Sequence, residues 1–533
     1  MMPYRFRPRD RRSVRYLVRL RQRWIVWFHL GLQRRWCPPW PLDLPLMAVD
    51  TSAPPADSAA TSDEGAPDPR GRLRARVVLP LLLLLLAGAL RFWSLGYPER
   101  MYFDEIYYAE QAQHLLERGV EDDFVVHPPL GKWLLAGGIA LFGNNSFGWR
   151  FAAAAAGSLT VLVTYLIGMR LFRRRRVAAL GAFLLCLDGL AFTMSRIAML
   201  DAFLGLFVAT GVWLLLIDRD GQWAGVDRST EADPHRPLPR RSHRWRWLAG
   251  VALGLALATK WSALLAIGAG GVFVIASEML WRRHLTGTPW RRLGRPLLSV
   301  VLTLVFVPLV IYLGSYASWF ANFADTRPGR ELCPEGVCTV SPPQMLTQWW
   351  GEQNEIRVFH QELEAVHAYR SDPWTWLYLE RPVSYYYESC DDKKLAEGEC
   401  VTEQGNVEEI LGQGNPAVWW LALASLPVLG WWATRRRDWR AATLLLFLLL
   451  QYLPWFAVPR PNFLFYMVPA VPFLCVGLAY ALSRLSGRQL PRWLPAAAIT
   501  VVIGMFLFFY PIWAGIELAQ PTWQLRMWFP SWI

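Results

Sequence analysis

From Val77 onward the chain alternates long apolar runs with arginine-rich punctuation. Val77 to Leu90, Ala441 to Leu450 and Ala496 to Tyr510 are nearly free of charge. A helix needs about 20 mostly apolar residues to cross the hydrocarbon of a bilayer. Placed by apolar length and by the side on which Arg and Lys gather, about eleven spans are predicted: Val77 to Trp93, Trp149 to Leu171, Val177 to Thr193, Ala198 to Ile217, Trp247 to Ala258, Ala263 to Ser277, Pro296 to Leu313, Ala417 to Trp432, Ala441 to Phe456, Phe463 to Leu482 and Leu494 to Ile512. The basic loops at Arg173 to Arg176, Arg219 to Arg246, Arg282 to Arg292 and Arg435 to Arg437 then share one side, read as cytoplasmic. The expected fold class is an all-α polytopic membrane protein with a cytoplasmic N-terminus and an external C-terminus.

The same pattern divides the chain. Residues 1–75 are a basic head followed by a Pro/Ala/Ser/Asp-rich stretch that buries too little apolar surface to order, and are expected to be a cytoplasmic tail without a cleavable signal peptide. An N-terminal transmembrane module is expected over 76–316, with its first external loop at 96–147. Residues 317–415 read as a large external loop with a weakly helical stretch from Gln344 to Tyr369, and 416–533 as a C-terminal transmembrane module.

Composition narrows the function classes. By length, 533 residues could form several soluble domains, but 54% hydrophobic and only 18% charged residues argue for a bilayer protein. Thirty Trp and 18 Tyr suit helix ends at lipid headgroups. The net charge of +13 sits beside apolar segments, which excludes a nucleic-acid-reading face. Cys333, Cys338, Cys390 and Cys400 all fall in the large external loop and suggest two disulfides, with three connectivities open. No C-x2-C spacing supports zinc, and no metal site is expected.

Candidate chemistry centres on Asp104-Glu105, within Met101 to Tyr108, just past the first span. Other polar residues are odd for their surroundings: His127, Lys132, Arg150, Arg196, Asp201, Lys260, His360, His367, Arg381 and Arg460. Any one of them is explained as a salt-bridged helix end, but the span register places every one at or near the external face. A shared site is the better account of the set. Two carboxylates with several cations, and no G-x-S-x-G, H-E-x-x-H or Walker loop, suit transfer of a group from an anionic lipid. Arginine suits a lipid phosphate, since its planar fork bonds two oxygens and stays charged.

Phe103-Asp104-Glu105, His127-Pro128-Pro129-Leu130-Gly131-Lys132 and Arg196-Ile197-Ala198-Met199-Leu200-Asp201, with His367 to Trp376, Arg381-Pro382-Val383 and Pro459 to Phe463, resemble the protein O-mannosyltransferase family, in one order over about residues 75–515. The resemblance implies the GT-C glycosyltransferase fold and inverting transfer of mannose from a polyprenyl phosphate to Ser or Thr hydroxyls of exported proteins. It also implies a plasma-membrane enzyme with an outward-facing site, near the secretion translocon. It makes Asp104 the catalytic base, Glu105 a helper in placing the acceptor and Arg150 a ligand of the donor phosphate, with Arg460 and Lys260 as further phosphate candidates. His127 and Lys132 carry no assigned role; Arg196, Asp201, His367 and Arg381 are motif or pocket residues. Asp188 is expected to be a hydrogen-bonded packing residue. Eukaryotic relatives insert a β-trefoil domain that 317–415 is too short to hold, so a bacterial-type member is expected. Two other readings are a GT-C enzyme moving an arabinose-type sugar to a glycan or lipid, and a transporter. The absence of inverted repeats, and charges gathered at one face, weigh against the transporter.

Overall fold

The computed structural model describes residues 69–533, apart from 122–124, 225, 227–230, 240, 291, 334–339, 363–366 and 488. The expected tail over 1–75 lies almost wholly outside the described residues.

Helix stands at each of the eleven predicted spans. In chain order the elements that position the site begin with α1 (Pro69–Phe92), α2 (Glu105–Arg118), α3 (Leu130–Phe142) and α4 (Ser146–Phe172). There follow α5 (Arg175–Cys186), α6 (Gly189–Thr193), α7 (Asp201–Trp223), α8 (Arg244–Leu257), α9 (Ala263–Thr286) and α10 (Gly294–Ser315, with a π turn at Leu302–Phe306). After α11 (Pro342–Glu362) come strands β1 (Val383–Ser389) and β2 (Asn406–Gly412), then α12 (Pro416–Thr434), α13 (Trp439–Tyr452), α14 (Val471–Leu485), α15 (Leu494–Ala514) and the short β3 (Leu518–Ala519). Seven helices, among them α4, α7, α9 and α15, are long and apolar enough to cross a bilayer unaided. With the shorter apolar helices α3, α14 and Val77–Phe92 of α1, they make a multi-span membrane protein.

Small residues set how closely these helices meet. α4 packs against α3, α5 and α7. At the α3–α4 crossing a methyl group on Gly138 would lie 2.4 Å from the Gly148 carbonyl oxygen, so only glycine allows this backbone approach. The third predicted span is two pieces, because Asp188 interrupts it. Its carboxylate accepts from the Ala191 N–H (2.9 Å), capping α6, and from the Asn415 N–H (3.1 Å) and Trp419 Nε1 (2.7 Å). The expected packing role therefore has named partners.

The segment after α10 carries α11, where a helical stretch is expected, and a small antiparallel sheet in the order β1-β2-β3 that no sequence signal announces. Val383 pairs with Gly412 and Ser389 with Val407, while Val407 also pairs with Leu518. Residues beyond α15 thus return to the sheet, and Trp532 is buried with its Nε1 donating to the Leu379 carbonyl at 2.7 Å. Cys390 and Cys400 are disulfide-bonded, with Cα atoms 5.1 Å apart. Cys333 is also disulfide-bonded, whereas Cys338 lies outside the described residues.

Candidate active site

Asp104 and Glu105 are neighbours in sequence with opposite fates. Phe103 sits at φ 55°, a left-handed conformation that strains a non-glycine residue and here turns the chain into α2. Its ring is held against Tyr385 of β1 (centroids 4.8 Å apart) and Phe465 (6.1 Å). Asp104, at the N-cap, makes no side-chain capping bond and lines a cavity instead. Glu105 turns the other way and is fully buried.

Arg150 of α4 meets Glu105 in a bidentate fork, Nη2 to Oε1 at 2.8 Å and Nε to Oε2 at 3.0 Å, while the Ala198 N–H donates to Oε2 at 2.8 Å. The remaining guanidinium protons go to the carbonyls of Leu95 (3.2 Å), Pro98 (2.9 Å) and Arg100 (2.9 Å). All five N–H groups of Arg150 are therefore satisfied by protein, and its planar face covers Tyr102, 4.9 Å from the ring centroid. Arg150 thereby ties the loop after α1 to α2. Both oxygens of Glu105 are held inside that brace.

The cavity measures about 960 Å³. Asp104, His127, Lys260, His360, His367 and Arg460 all line it, drawn from α2, the loop before α3, the α8–α9 turn, α11 and the segments before β1 and α14. Aromatic rings of Tyr107, Tyr108, Trp261, Phe463 and Tyr466 fill the wall between them. Lys260 donates to Asp201 at 2.8 Å, which offsets its charge. Arg460 has no carboxylate partner among the described residues; its Nη1 lies 3.0 Å from His360 Nδ1 and its guanidinium 5.5 Å from the Tyr466 centroid. Burial pushes the Asp104 carboxyl up to about 6, with Lys260 opposing the rise and Asp201 adding to it. Burial, followed by the neighbouring cations, holds His127 well below the ordinary histidine range.

Residues 81–323 match the model of the dolichyl-phosphate-mannose-protein mannosyltransferase family, and 345–532 match its C-terminal four-transmembrane region. A polyprenol-phosphate-mannose–protein mannosyltransferase of Mycolicibacterium smegmatis is 34% identical over 91% of this chain and 100% of its own length. The chain belongs to the protein O-mannosyltransferase family. A relative of the same description from Corynebacterium glutamicum is 31% identical over 81% of this chain and 88% of its own. The fold is that of the Saccharomyces cerevisiae Pmt1-Pmt2 complex bound to the sugar donor, with a TM-score of 0.69 at 15% identity, covering 86% of this chain and 92% of that one.

Within this mannosyltransferase fold the remaining motif residues stand behind the cavity wall. Lys132, in the His-Pro-Pro-Leu-Gly-Lys element, pairs with Glu121 and donates to the His127 carbonyl at 3.0 Å, fixing the loop that presents His127. Arg196 donates to the carbonyls of Arg91 (3.0 Å), Trp93 (2.5 Å) and Ser94 (3.2 Å), closing the C-terminal end of α1. Arg381 binds the Ala368 carbonyl at 2.8 Å and that of Ser531 at 2.8 Å, clamping the His367 loop to the last residues. His367 itself reaches the cavity, its Nδ1 accepting from the Tyr369 N–H (3.2 Å) and its ring edge-on to Phe463 (4.9 Å). Sequence reasoning missed the aromatic lining of the mannosyltransferase cavity. The only available signal was the density of rings in Met101 to Tyr108 and Phe463 to Tyr466.

Proposed function

We propose that the chain transfers mannose from a polyprenyl phosphate to Ser or Thr hydroxyls of exported proteins, and that the Asp104 cavity is where it does so. The observation that carries this is one cavity in which a carboxyl raised to about 6 shares space with Lys260 and with an Arg460 that has no carboxylate partner among the described residues. Leu264 lines that cavity and is itself largely exposed, as are Leu453 and Phe456 beside it, an apolar border suited to a polyprenyl tail.

In this reading the lipid phosphate lies against Arg460 and Lys260, and the sugar lies toward Asp104 among the aromatic rings. Asp104 Oδ takes the proton of the acceptor hydroxyl as its oxygen attacks the anomeric carbon from the face opposite the phosphate. The bond from that carbon to the phosphate oxygen breaks with its electron pair going to the phosphate, so the configuration inverts. The phosphate is a competent leaving group without a general acid, and fixed cations stabilise the charge it gains. A base raised to about 6 is largely ionised at neutral pH yet stronger than an ordinary carboxylate. The reading places the site on the outer face of the plasma membrane, where exported chains emerge beside the secretion translocon.

Membranes carrying the chain, incubated with radiolabelled polyprenyl phosphate mannose and a Ser/Thr peptide, should yield an alkali-labile mannosyl peptide whose anomeric configuration is opposite to the donor's. Label reaching a glycan or lipid but no peptide would overturn the reading.

A further inference from the structure

The histidine beside Arg460 has its hydrogen-bonding roles fixed by its surroundings. His360 Nε2 lies 2.9 Å from the Val126 carbonyl oxygen, which can only accept, so Nε2 carries the proton. In a neutral ring Nδ1 is then a lone-pair acceptor, and it faces Arg460 Nη1 at 3.0 Å. A protonated ring would turn an N–H toward a guanidinium, so the contact exists only with the neutral form. The surroundings enforce that form. The His127 ring stacks on His360 at 5.3 Å and 28°, and Trp261 closes the side at 6.3 Å. Burial and Arg460 press its pKa down to about 4, against the hydrogen bond to Val126, and Lys260 lowers it further.

The carbonyl that sets the tautomer belongs to the residue just before His127-Pro128-Pro129-Leu130-Gly131-Lys132. Lys132 in turn holds the next carbonyl, that of His127, at 3.0 Å. A continuous line of contacts therefore runs from buried Lys132 through the loop backbone to His360 and on to Arg460. Lys260 is tethered by a carboxylate, but Arg460 is tethered by a neutral group that aims it while leaving its full charge for an anion.

We infer that His360 is a positioning residue for the phosphate of the donor lipid, holding Arg460 across the cavity through Nδ1, and that the His-Pro-Pro-Leu-Gly-Lys loop exists in part to fix that imidazole. This rests on the reading of the cavity as the donor site. An imidazole that merely filled space would be replaced without consequence by a ring of similar size.

The test separates the two. Binding of polyprenyl phosphate without sugar is titrated against purified wild type, His360→Phe, His360→Gln, Arg460→Ala and the Arg460→Ala/His360→Phe double variant. Donor KM and kcat are measured alongside. His360→Phe keeps the stacking but removes donor and acceptor, and should weaken lipid phosphate binding and raise donor KM about tenfold, with kcat lowered less. His360→Gln retains one acceptor and one donor and should recover binding to within about threefold of wild type. The double variant should bind no more weakly than Arg460→Ala alone, since the histidine acts through the arginine. Unchanged binding in His360→Phe, no recovery in His360→Gln, or additive losses in the double variant would each overturn the inference. If lipid phosphate binding follows the expected pattern while no mannose reaches a peptide, the inference stands and the transfer reading fails. If transfer is normal and His360→Phe is silent, the reverse holds.

Discussion

Replacing Asp104 by Asn removes one proton acceptor and leaves the shape of the cavity. Two effects of opposite sign follow. A positioned general base contributes about 10² to 10⁴ in rate, so kcat for mannosyl transfer to a Ser/Thr peptide should fall by that factor with donor KM within about threefold of wild type. Stability should move the other way. Raising a carboxyl from 3.8 to about 6 disfavours its ionised form by up to about 3 kcal/mol, and water in the cavity screens this to roughly 1–3 kcal/mol. The sign follows from proton linkage. The folded state holds the Asp104 proton more tightly than the unfolded state, so the penalty is fully present above about pH 6 and shrinks as pH falls toward 4. Asp104→Asn should therefore melt at or above the wild-type temperature in detergent at pH 7.5, with the gap closing toward pH 5. The wild-type rate at subsaturating donor and acceptor should drop about tenfold per pH unit below 6, and the residual rate of the variant should not. A kcat for Asp104→Asn within threefold of wild type, or a wild-type profile flat between pH 7 and 5, would refute the assignment.

Arg460→Ala should raise donor KM about 10- to 100-fold, as loss of a charge-assisted contact of roughly 1.5–3 kcal/mol predicts, while peptide KM stays put. An unchanged donor titration counts against the phosphate role. Glu105→Ala leaves the Arg150 guanidinium buried and uncompensated, a loss of about 3–5 kcal/mol that should appear as a lower melting temperature and poor yield, with near-normal donor KM in whatever folds. A specific loss of donor affinity in well-folded Glu105→Ala would instead support a phosphate role for Arg150. Cys390 and Cys400 should resist alkylation until reduced, read by mass shift of the peptides; prompt labelling in intact protein would contradict the bond.

The spans were legible because apolar length and flanking arginines are set by the bilayer itself, which constrains every crossing helix in the same way. Convergence was partly legible too: Asp104, His127, Lys260, His360, His367 and Arg460 do meet in one cavity. What the sequence hides is which way a cation points. Arg150 and Arg460 look alike as letters near a helix end, but one meets a buried carboxylate and three carbonyls and the other an imidazole. Adjacent residues at the start of a helix project about 100° apart, so Asp104 and Glu105 face different surroundings although the pair reads as a unit. The sheet escaped notice because Val383 to Ser389 is short and its partner strand lies beyond a disulfide-bonded excursion, so no local hairpin pattern connects them.

The return of residues 518 and 519 to β2, and of Trp532 to Leu379, means that the sheet carrying Tyr385, against which Phe103 rests, is braced by residues beyond α15. The fold is not closed by α15. A variant cut soon after Ala514 would keep the apolar helices described above and still lack the clasp that steadies the strands behind Phe103.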